Sequence, residues 1–202
     1  QASDKNLLKA HLKLALYYQY KQPPDMSEAI NYYKKAAAAA DKDTKLKITI
    51  LLARLYADIA DDQGNSEQVF KWYSKAAELG DTESQLKTAN AYLNGVGTEL
   101  SYEKAMEWFK HAADQGETKS MTMLGYIYAN GIGVDINFEE AIRWYKYAAE
   151  RGNDEAAWNL GNMYLTGNGV KQDDKEAKVW FDRAQILRQR NDIETYRNKN
   201  KQ

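Results

Sequence analysis

Apolar residues recur along this chain at the spacing of one face of an α-helix, and the pattern itself repeats every 36 residues. In its clearest copy, Ala105, Trp108, Phe109, Ala112 and Ala113 occupy the i, i+3, i+4, i+7 and i+8 positions of an amphipathic helix. Further copies surround Trp72, Trp144 and Trp180, and a degenerate copy around Tyr32 begins the series. Self-similarity of this kind predicts an all-α solenoid, in which each repeat buries its apolar face against its neighbours.

A second helical pattern precedes each copy and predicts the other helix of a pair. It contains a small residue followed three positions later by a tyrosine, as in Ala15 and Tyr18, Ala53 and Tyr56, Ala89 and Tyr92, Gly125 and Tyr128, and Gly161 and Tyr164. Glycine inside a helix costs about 1 kcal/mol relative to alanine, so its use at two of these positions predicts helix crossings too close for a side chain. The repeated tryptophans lie between alanines and are expected to pack in the core, where Trp108→Ala or Trp144→Ala would be strongly destabilising.

Glycine and serine residues predict where the helices end and begin. Gly80, Gly116 and Gly152 follow the second helices, where left-handed C-caps are expected. The first helices are followed by Gly-x-Gly at 95–97, 131–133 and 167–169, of which the first glycine suits a C-cap and the second is expected to loosen the turn. Ser27 is expected to cap or start the second helix, and Ser66 is expected to be the N-cap of the helix that carries Trp72. Residues 61–65 are expected to form a turn.

Together these signals predict a single repeat domain over residues 1–202, with units of about 4–40, 41–80, 81–116, 117–152 and 153–188. Pro23 and Pro24 separate the two helices of the first unit, because proline disfavours helix at and before its own position. The repeat pattern stops after Ala184. Residues of about 186–202 are polar, which predicts a solubilising terminal helix that frays near Asn198.

The order of small residue, tyrosine, Gly-x-Gly and Ala-x-x-Trp-aromatic-x-x-Ala-Ala-x-x-Gly resembles the Sel1-like repeat, a relative of the tetratricopeptide repeat. Residues 80–152 match this pattern almost throughout, the fifth unit matches up to Ala184, and the first two units match more loosely. The resemblance implies a right-handed superhelix of about five antiparallel helix pairs with a C-terminal capping helix. It also implies an adaptor function, often in exported bacterial proteins, and it supplies no active site.

Composition argues against several other classes of function. The 28 basic and 29 acidic residues balance, which disfavours nucleic-acid binding, and the short apolar runs disfavour membrane insertion. Cysteine is absent, His11 and His111 have no partner at ligand spacing, and carboxylate pairs such as Glu139–Glu140 fall at helix starts. No catalytic residue, metal or cofactor is therefore expected.

The resemblance implies that the first helix of each pair lines a concave groove. The positions three before, one after and four after the small residue would then face a ligand. They are Leu12, Leu16 and Gln19; Ile50, Arg54 and Ala57; Leu86, Asn90 and Leu93; Thr122, Tyr126 and Ala129; and Trp158, Asn162 and Leu165. The partner-binding residues expected on this basis are Trp158, Tyr126, Arg54, Asn90, Asn162, Leu86, Ile50, Leu93 and Leu165. Trp158 lies outside the 36-residue series, and its alternative role is to pack against the next helix or the tail.

The favoured interpretation is a non-catalytic module that binds a partner protein and is a monomer until bound. One candidate role is an immunity or inhibitor protein that neutralises a secreted toxin or effector enzyme. The alternative is a periplasmic scaffold for envelope or exopolysaccharide assembly. An enzymatic function, including the β-lactamase activity sometimes ascribed to the family, lacks a nucleophile-and-base constellation. The sequence begins at Gln1, so a trimmed or processed form is expected, in the periplasm or outside the cell, with the cytoplasm as the alternative.

Overall fold

The computed structural model of the chain describes residues 2–63 and 66–199, and in those ranges it contains ten α-helices and no strand. The chain forms two compact units, an N-terminal unit, Gln1–Ala105, and a C-terminal unit, Met106–Gln202. The helices are α1 (Ala2–Tyr20), α2 (Met26–Ala39), α3 (Lys42–Gln63), α4 (Ser66–Glu78), α5 (Thr82–Asn94), α6 (Tyr102–Asp114), α7 (Thr118–Asn130), α8 (Phe138–Glu150), α9 (Asp154–Thr166) and α10 (Asp174–Lys199).

Consecutive helices pack against each other within each unit. In the N-terminal unit α1 packs on α2, α2 on α3, α3 on α4 and α4 on α5; in the C-terminal unit α7 packs on α8, α8 on α9 and α9 on α10. The connections are short, which makes sequential helices antiparallel neighbours. The predicted fold class, an all-α repeat of helix pairs, is confirmed.

The predicted glycine caps end the second helices. Gly116 has a φ of +91°, and the amide of Glu117 behind it donates to the carbonyl of Ala112 at 3.1 Å, which is the Schellman arrangement. The same pattern closes the helices at Gly80 and Gly152. The residue after each glycine then caps the next helix, as Asn153 does by accepting from the amide of Ala156 at 2.8 Å.

The second glycine of Gly-x-Gly has a different role from the one predicted. Gly97 has a φ of +71°, and a Cβ there would collide with the backbone carbonyl of Ser66 at the start of α4. A Cβ on Gly169 would collide with the Cβ of Phe138 at the start of α8. The glycine is therefore required because the loop passes directly over the beginning of the preceding second helix.

Two helix starts and one turn differ from the predictions. Asp25, rather than Ser27, caps α2, and its carboxylate accepts from the amide of Glu28 at 3.1 Å. Ser66 is the first residue of α4 itself. The predicted turn at 61–65 is helical through Gln63, while its remaining residues, Gly64 and Asn65, lie outside the described part of the chain.

The aromatic residue that follows Trp72, Trp108 or Trp144 is buried, and this corrects the prediction that Trp108 and Trp144 pack in the core. Phe109 and Tyr145 are buried, whereas Trp108 and Trp144 are only partly buried. Tyr33 and Tyr73 are buried as well, and so are the paired alanines of the repeat. Of the four tryptophans in the series, only Trp72 is buried. The tryptophan position of the repeat therefore lies at the edge of the core rather than at its centre.

Two aromatic rings, the buried Tyr145 and the partly buried Phe181, explain the glycines of the first helices. A Cβ on Gly125 would lie 2.6 Å from the ring of Tyr145, and one on Gly161 would lie 2.5 Å from the ring of Phe181. These distances are shorter than van der Waals contact, so each ring occupies the space that a side chain would need. The predicted close crossing is confirmed at both glycines.

The last helix is longer than the repeat requires. Arg188 stands 36 residues after Gly152, where a glycine cap would end the helix, and α10 continues without a break to Lys199. The predicted terminal helix is therefore an extension of the second helix of the fifth pair. Residues 200–202 of the predicted tail lie outside the described ranges.

The core assignment gives a direct stability test. Tyr145→Ala should lower the free energy of unfolding by about 3–5 kcal/mol, because it empties a large buried site over Gly125. Trp144→Ala should cost less, about 1–2 kcal/mol, because that side chain is partly exposed. Urea denaturation of the two variants measures the difference, and an equal or larger loss for Trp144→Ala would contradict the assignment.

Candidate protein-binding surfaces

The described residues show no cluster of metal-ligating groups. Within 2–63 and 66–199, no group of three histidine, aspartate or glutamate side chains is placed to hold a metal ion. His111 is exposed and lies 4.0 Å from Glu107 on its own helix. No helix in the same ranges combines the length and apolar character needed to cross a membrane.

In the N-terminal unit, the predicted partner-binding residues lie on α3 and α5. Arg54 is exposed and its Nη2 lies 3.5 Å from Glu83 Oε2, so one ion pair joins the two helices. The other four of these residues are only partly exposed; they are Ile50, Leu86, Asn90 and Leu93. This half of the predicted groove therefore offers one exposed cation among partly covered side chains.

A cavity of about 470 Å³ opens beside these residues. The predicted residues Ala57 and Asn90 line it, but most of its apolar wall comes from Val69, Phe70 and Tyr73 of α4. The repeat pattern assigned Val69 and Tyr73 to packing and gave no role to Phe70, so the cavity was not predicted from the sequence. Position 69 could have signalled it, because valine there replaces the alanine found at 105, 141 and 177.

In the C-terminal unit, three predicted residues are large apolar side chains in contact with solvent. Tyr126 is 46% exposed, Trp158 is 50% exposed and Leu165 is 44% exposed. Asn162 is partly exposed beside them on α9. Thr122 does not join this surface, because it is buried and its Oγ1 donates to the carbonyl of Thr118 at 2.9 Å.

Trp158 is held by the last helix while keeping half of its surface free. Its ring centroid lies 4.6 Å from that of Phe181, with an angle of 51° between the planes. A cavity of about 220 Å³ lies next to it, lined also by Ala184, Gln185 and Arg188. The alternative role predicted for Trp158, packing against the next helix, thus describes one face of the ring, and the other face is open.

Polar contacts fix α10 beside α9 at this point. Arg188 Nε lies 3.2 Å from Asp154 Oδ2, and the side-chain amide of Asn191 donates to Asp154 Oδ1 at 3.2 Å. Arg183 also donates to the carbonyl of Ala149 at 3.3 Å, near the end of α8. The exposed ion pair contributes little stability by itself, but these bonds together set the register of Phe181 under Trp158.

Tyr145 connects the buried core of this unit to the same surface. Burial raises the pKa of the Tyr145 phenol well above its usual range, and the nearby Glu155 carboxylate and Tyr126 phenol raise it further. Glu155 belongs to α9 and Tyr126 to α7. Both helices therefore converge on the ring that fills the notch at Gly125.

The chain is similar to known proteins that are built from the same kind of repeat. The sequence model described as Sel1 repeat matches residues 8–41, 64–81, 82–117, 118–153 and 154–184. No curated protein matches the sequence significantly. Among solved structures, a protective antigen present in uropathogenic Escherichia coli strains, with an SLR fold, is 30% identical with a TM-score of 0.71. That match covers 92% of this chain and 39% of the antigen, so this chain spans well under half of its relative.

Two further structures share the fold. A Sel1 repeat protein from Oxalobacter formigenes is 24% identical, with a TM-score of 0.71, over 89% of this chain and 73% of that protein. An immunity protein from Pseudomonas aeruginosa is 18% identical, with a TM-score of 0.50, over 89% of this chain and 68% of that protein. At these identities the likeness is one of fold alone.

The raised pKa of Tyr145 predicts a loss of stability at high pH. The folded state favours the neutral phenol, so its stabilisation is complete below the unfolded pKa of about 10 and declines as pH rises from there towards the higher folded pKa. The free energy of unfolding of the wild type should therefore fall, relative to Tyr145→Phe, between about pH 8 and pH 11. Urea denaturation at both pH values measures this, with Tyr147→Phe on the exposed side of α8 as the control. An unchanged difference between wild type and Tyr145→Phe would contradict the prediction.

Proposed function

We propose that this chain, which belongs to the Sel1 repeat family, binds a partner protein through a surface of its C-terminal unit formed by Tyr126, Trp158, Asn162 and Leu165. The supporting observation is that Trp158 keeps half of its side chain in solvent although Phe181 holds its other face. The corresponding residues of the N-terminal unit, Ile50, Arg54, Leu86, Asn90 and Leu93, form a second proposed contact surface.

The composition of this surface suits protein recognition. Tyrosine and tryptophan are the residue types most enriched among binding hot spots, because each buries a large apolar area and also carries a hydrogen-bond donor. Trp158 and Leu165 lie two turns apart on α9, with Asn162 between them. A partner that covered this row would gain apolar burial at the centre and polar contacts at the edge, as interfaces commonly do.

The position of Trp158 also lowers the cost of binding. Its ring rests on Phe181, which is itself lodged over Gly161, so few rotamers remain to be lost when a partner arrives. The adjoining cavity of about 220 Å³ leaves space for an apolar side chain beside the ring. An anchor that is ordered before binding is more effective than a mobile one of the same area.

The proposed surface is tested by matched substitutions. Trp158→Ala and Tyr126→Ala should each raise the dissociation constant of a captured protein partner about thirtyfold or more, the effect of losing a hot spot. Tyr147→Ala is the control, because Tyr147 is 45% exposed, close to the 46% of Tyr126, but lies on α8. Calorimetric titration measures affinity, and circular dichroism verifies folding. If Trp158→Ala and Tyr126→Ala bind with wild-type affinity while Tyr147→Ala binds more weakly, the interface lies on the second helices instead.

Neutralisation of a toxin or effector enzyme is the favoured role within this proposal, outside the cytoplasm. The fold accommodates such a role, since an immunity protein of P. aeruginosa shares it. The alternative is a scaffold for envelope or exopolysaccharide assembly, in which binding brings partners together without changing their activity. Both roles require a non-catalytic protein and use the same surface.

Enzyme assays distinguish these roles. An inhibitor should abolish the activity of its partner at equimolar ratio, and Trp158→Ala should shift that titration to higher concentration. A scaffold should bind with no change in activity. In either case the chain itself should not hydrolyse esters, β-lactams or peptidoglycan, and turnover that disappears with one carboxylate or histidine substitution would overturn the non-catalytic assignment.

A further inference from the structure

The outer face of α10 carries apolar residues where α4, α6 and α8 carry charges. Val179 stands at the repeat position of Lys71, Glu107 and Arg143, and Ile186 stands at that of Glu78, Asp114 and Glu150. All six of these charged residues are exposed. The apolar substitutions in α10 are equally exposed, with Ile186 at 65% and Ile193 at 54%. Packing of the repeat does not explain them.

These residues form a heptad stripe. Val179, Ile186 and Ile193 are spaced by seven residues, and Tyr196 lies three residues after Ile193, so they fit the a and d positions of a coiled coil. The stripe faces away from the repeat. Ala184 and Arg188 face α8 and α9, and Ile186 lies roughly 200° around the helix from each of them.

We propose that this stripe pairs two copies of the chain through a parallel two-helix contact centred on Ile186 and Ile193. β-Branched residues at a positions favour parallel two-stranded coiled coils. Gln189 occupies a polar d position. In the parallel pair its neutral amide lies opposite Gln189 of the second copy. Asp182, which is already ion-paired with Lys178 at 2.9 Å, marks the N-terminal limit of the contact.

The charges beside the stripe favour a second copy in this orientation. In a parallel pair, a residue at position g meets the e position five residues later on the other helix, which places Asp192 against Arg197 of the second copy, twice by symmetry. Gln185 meets Arg190 in the same way. An antiparallel pair would instead bring arginines together, because Arg183, Arg190 and Arg197 all occupy e positions. The stripe is thus complementary to itself in one orientation.

This contact is independent of the proposed partner surface, and it departs from the monomer expected from the sequence. The stripe is short, so the dimer should be weak, with a dissociation constant on the order of 10 µM. Sedimentation velocity of the full chain, at concentrations from on the order of 1 µM to 1 mM, should show its mass rising from 23.1 kDa towards twice that value. Trp158→Ala should dimerise as the wild type does.

Charge-swap variants make the test specific to the parallel arrangement. Asp192→Arg alone and Arg197→Asp alone each replace two attractive pairs with two repulsive ones, and each should weaken self-association about tenfold. Mixed in equal amounts, the two variants should form a heterodimer with wild-type affinity, because every pair is again of opposite charge. Ile193→Glu should abolish association, and Glu194→Arg, outside the a, d, e and g positions, should leave it unchanged.

Concentration-dependent dimerisation with recovery in the mixture supports the proposal. A wild-type chain that stays monomeric at the highest concentration overturns it and assigns the stripe to a different occupant. Dimerisation that is insensitive to Ile193→Glu, or charge variants that fail to recover on mixing, also overturns it by placing the interface elsewhere or in another orientation.

Discussion

The C-terminal unit depends on the seating of an aromatic ring over a helix that has no side chain at the crossing. Tyr145 over Gly125 and Phe181 over Gly161 bring α8 onto α7 and α10 onto α9 at a distance that even one methyl group would obstruct. Glycine weakens the first helix locally, and the ring compensates by burying a large apolar area in the space that is left. The repeat therefore combines a poor helix former with a good packing site, and neither residue is explained without the other.

This crossing also determines what the neighbouring tryptophans can do. Because the second aromatic takes the central position, the tryptophan before it is displaced to the shoulder of the core, as Trp144 is beside Tyr145. Trp158 also depends on such a crossing, since it rests on the Phe181 ring that occupies the space at Gly161. The core contact and the proposed anchor of the binding surface thus share one side chain. A change that unseated Phe181 would disturb both.

Very few residues define each corner between consecutive helices. A glycine with positive φ ends a second helix, and the following polar side chain starts the next first helix, so two adjacent residues define a corner. Where the glycine is replaced by Arg188, the corner is absent and α10 runs on for three further turns. That extension acquires its own contacts through Arg188 and Asn191, and it exposes a stripe that the repeat does not contain. Glycine at this one position ends the helix in a turn, whereas arginine at the same position lets the helix continue.

The sequence alone determined the fold class, the helix pairs, the glycine caps and the close crossings at Gly125 and Gly161, because each depends on local spacing or on backbone conformations that only glycine adopts readily. It also selected Tyr126, Trp158 and Leu165 as exposed side chains through their register in the repeat. Tertiary structure decided which of two adjacent aromatics, such as Trp144 and Tyr145, entered the core, since helical spacing places both on the same face. It also decided that Gly97 accommodates the backbone of Ser66, that Phe181 lies beneath Trp158, and that a cavity opens beside Phe70. Those features depend on contacts between residues 20 or more positions apart, and periodicity within one helix carries no information about them.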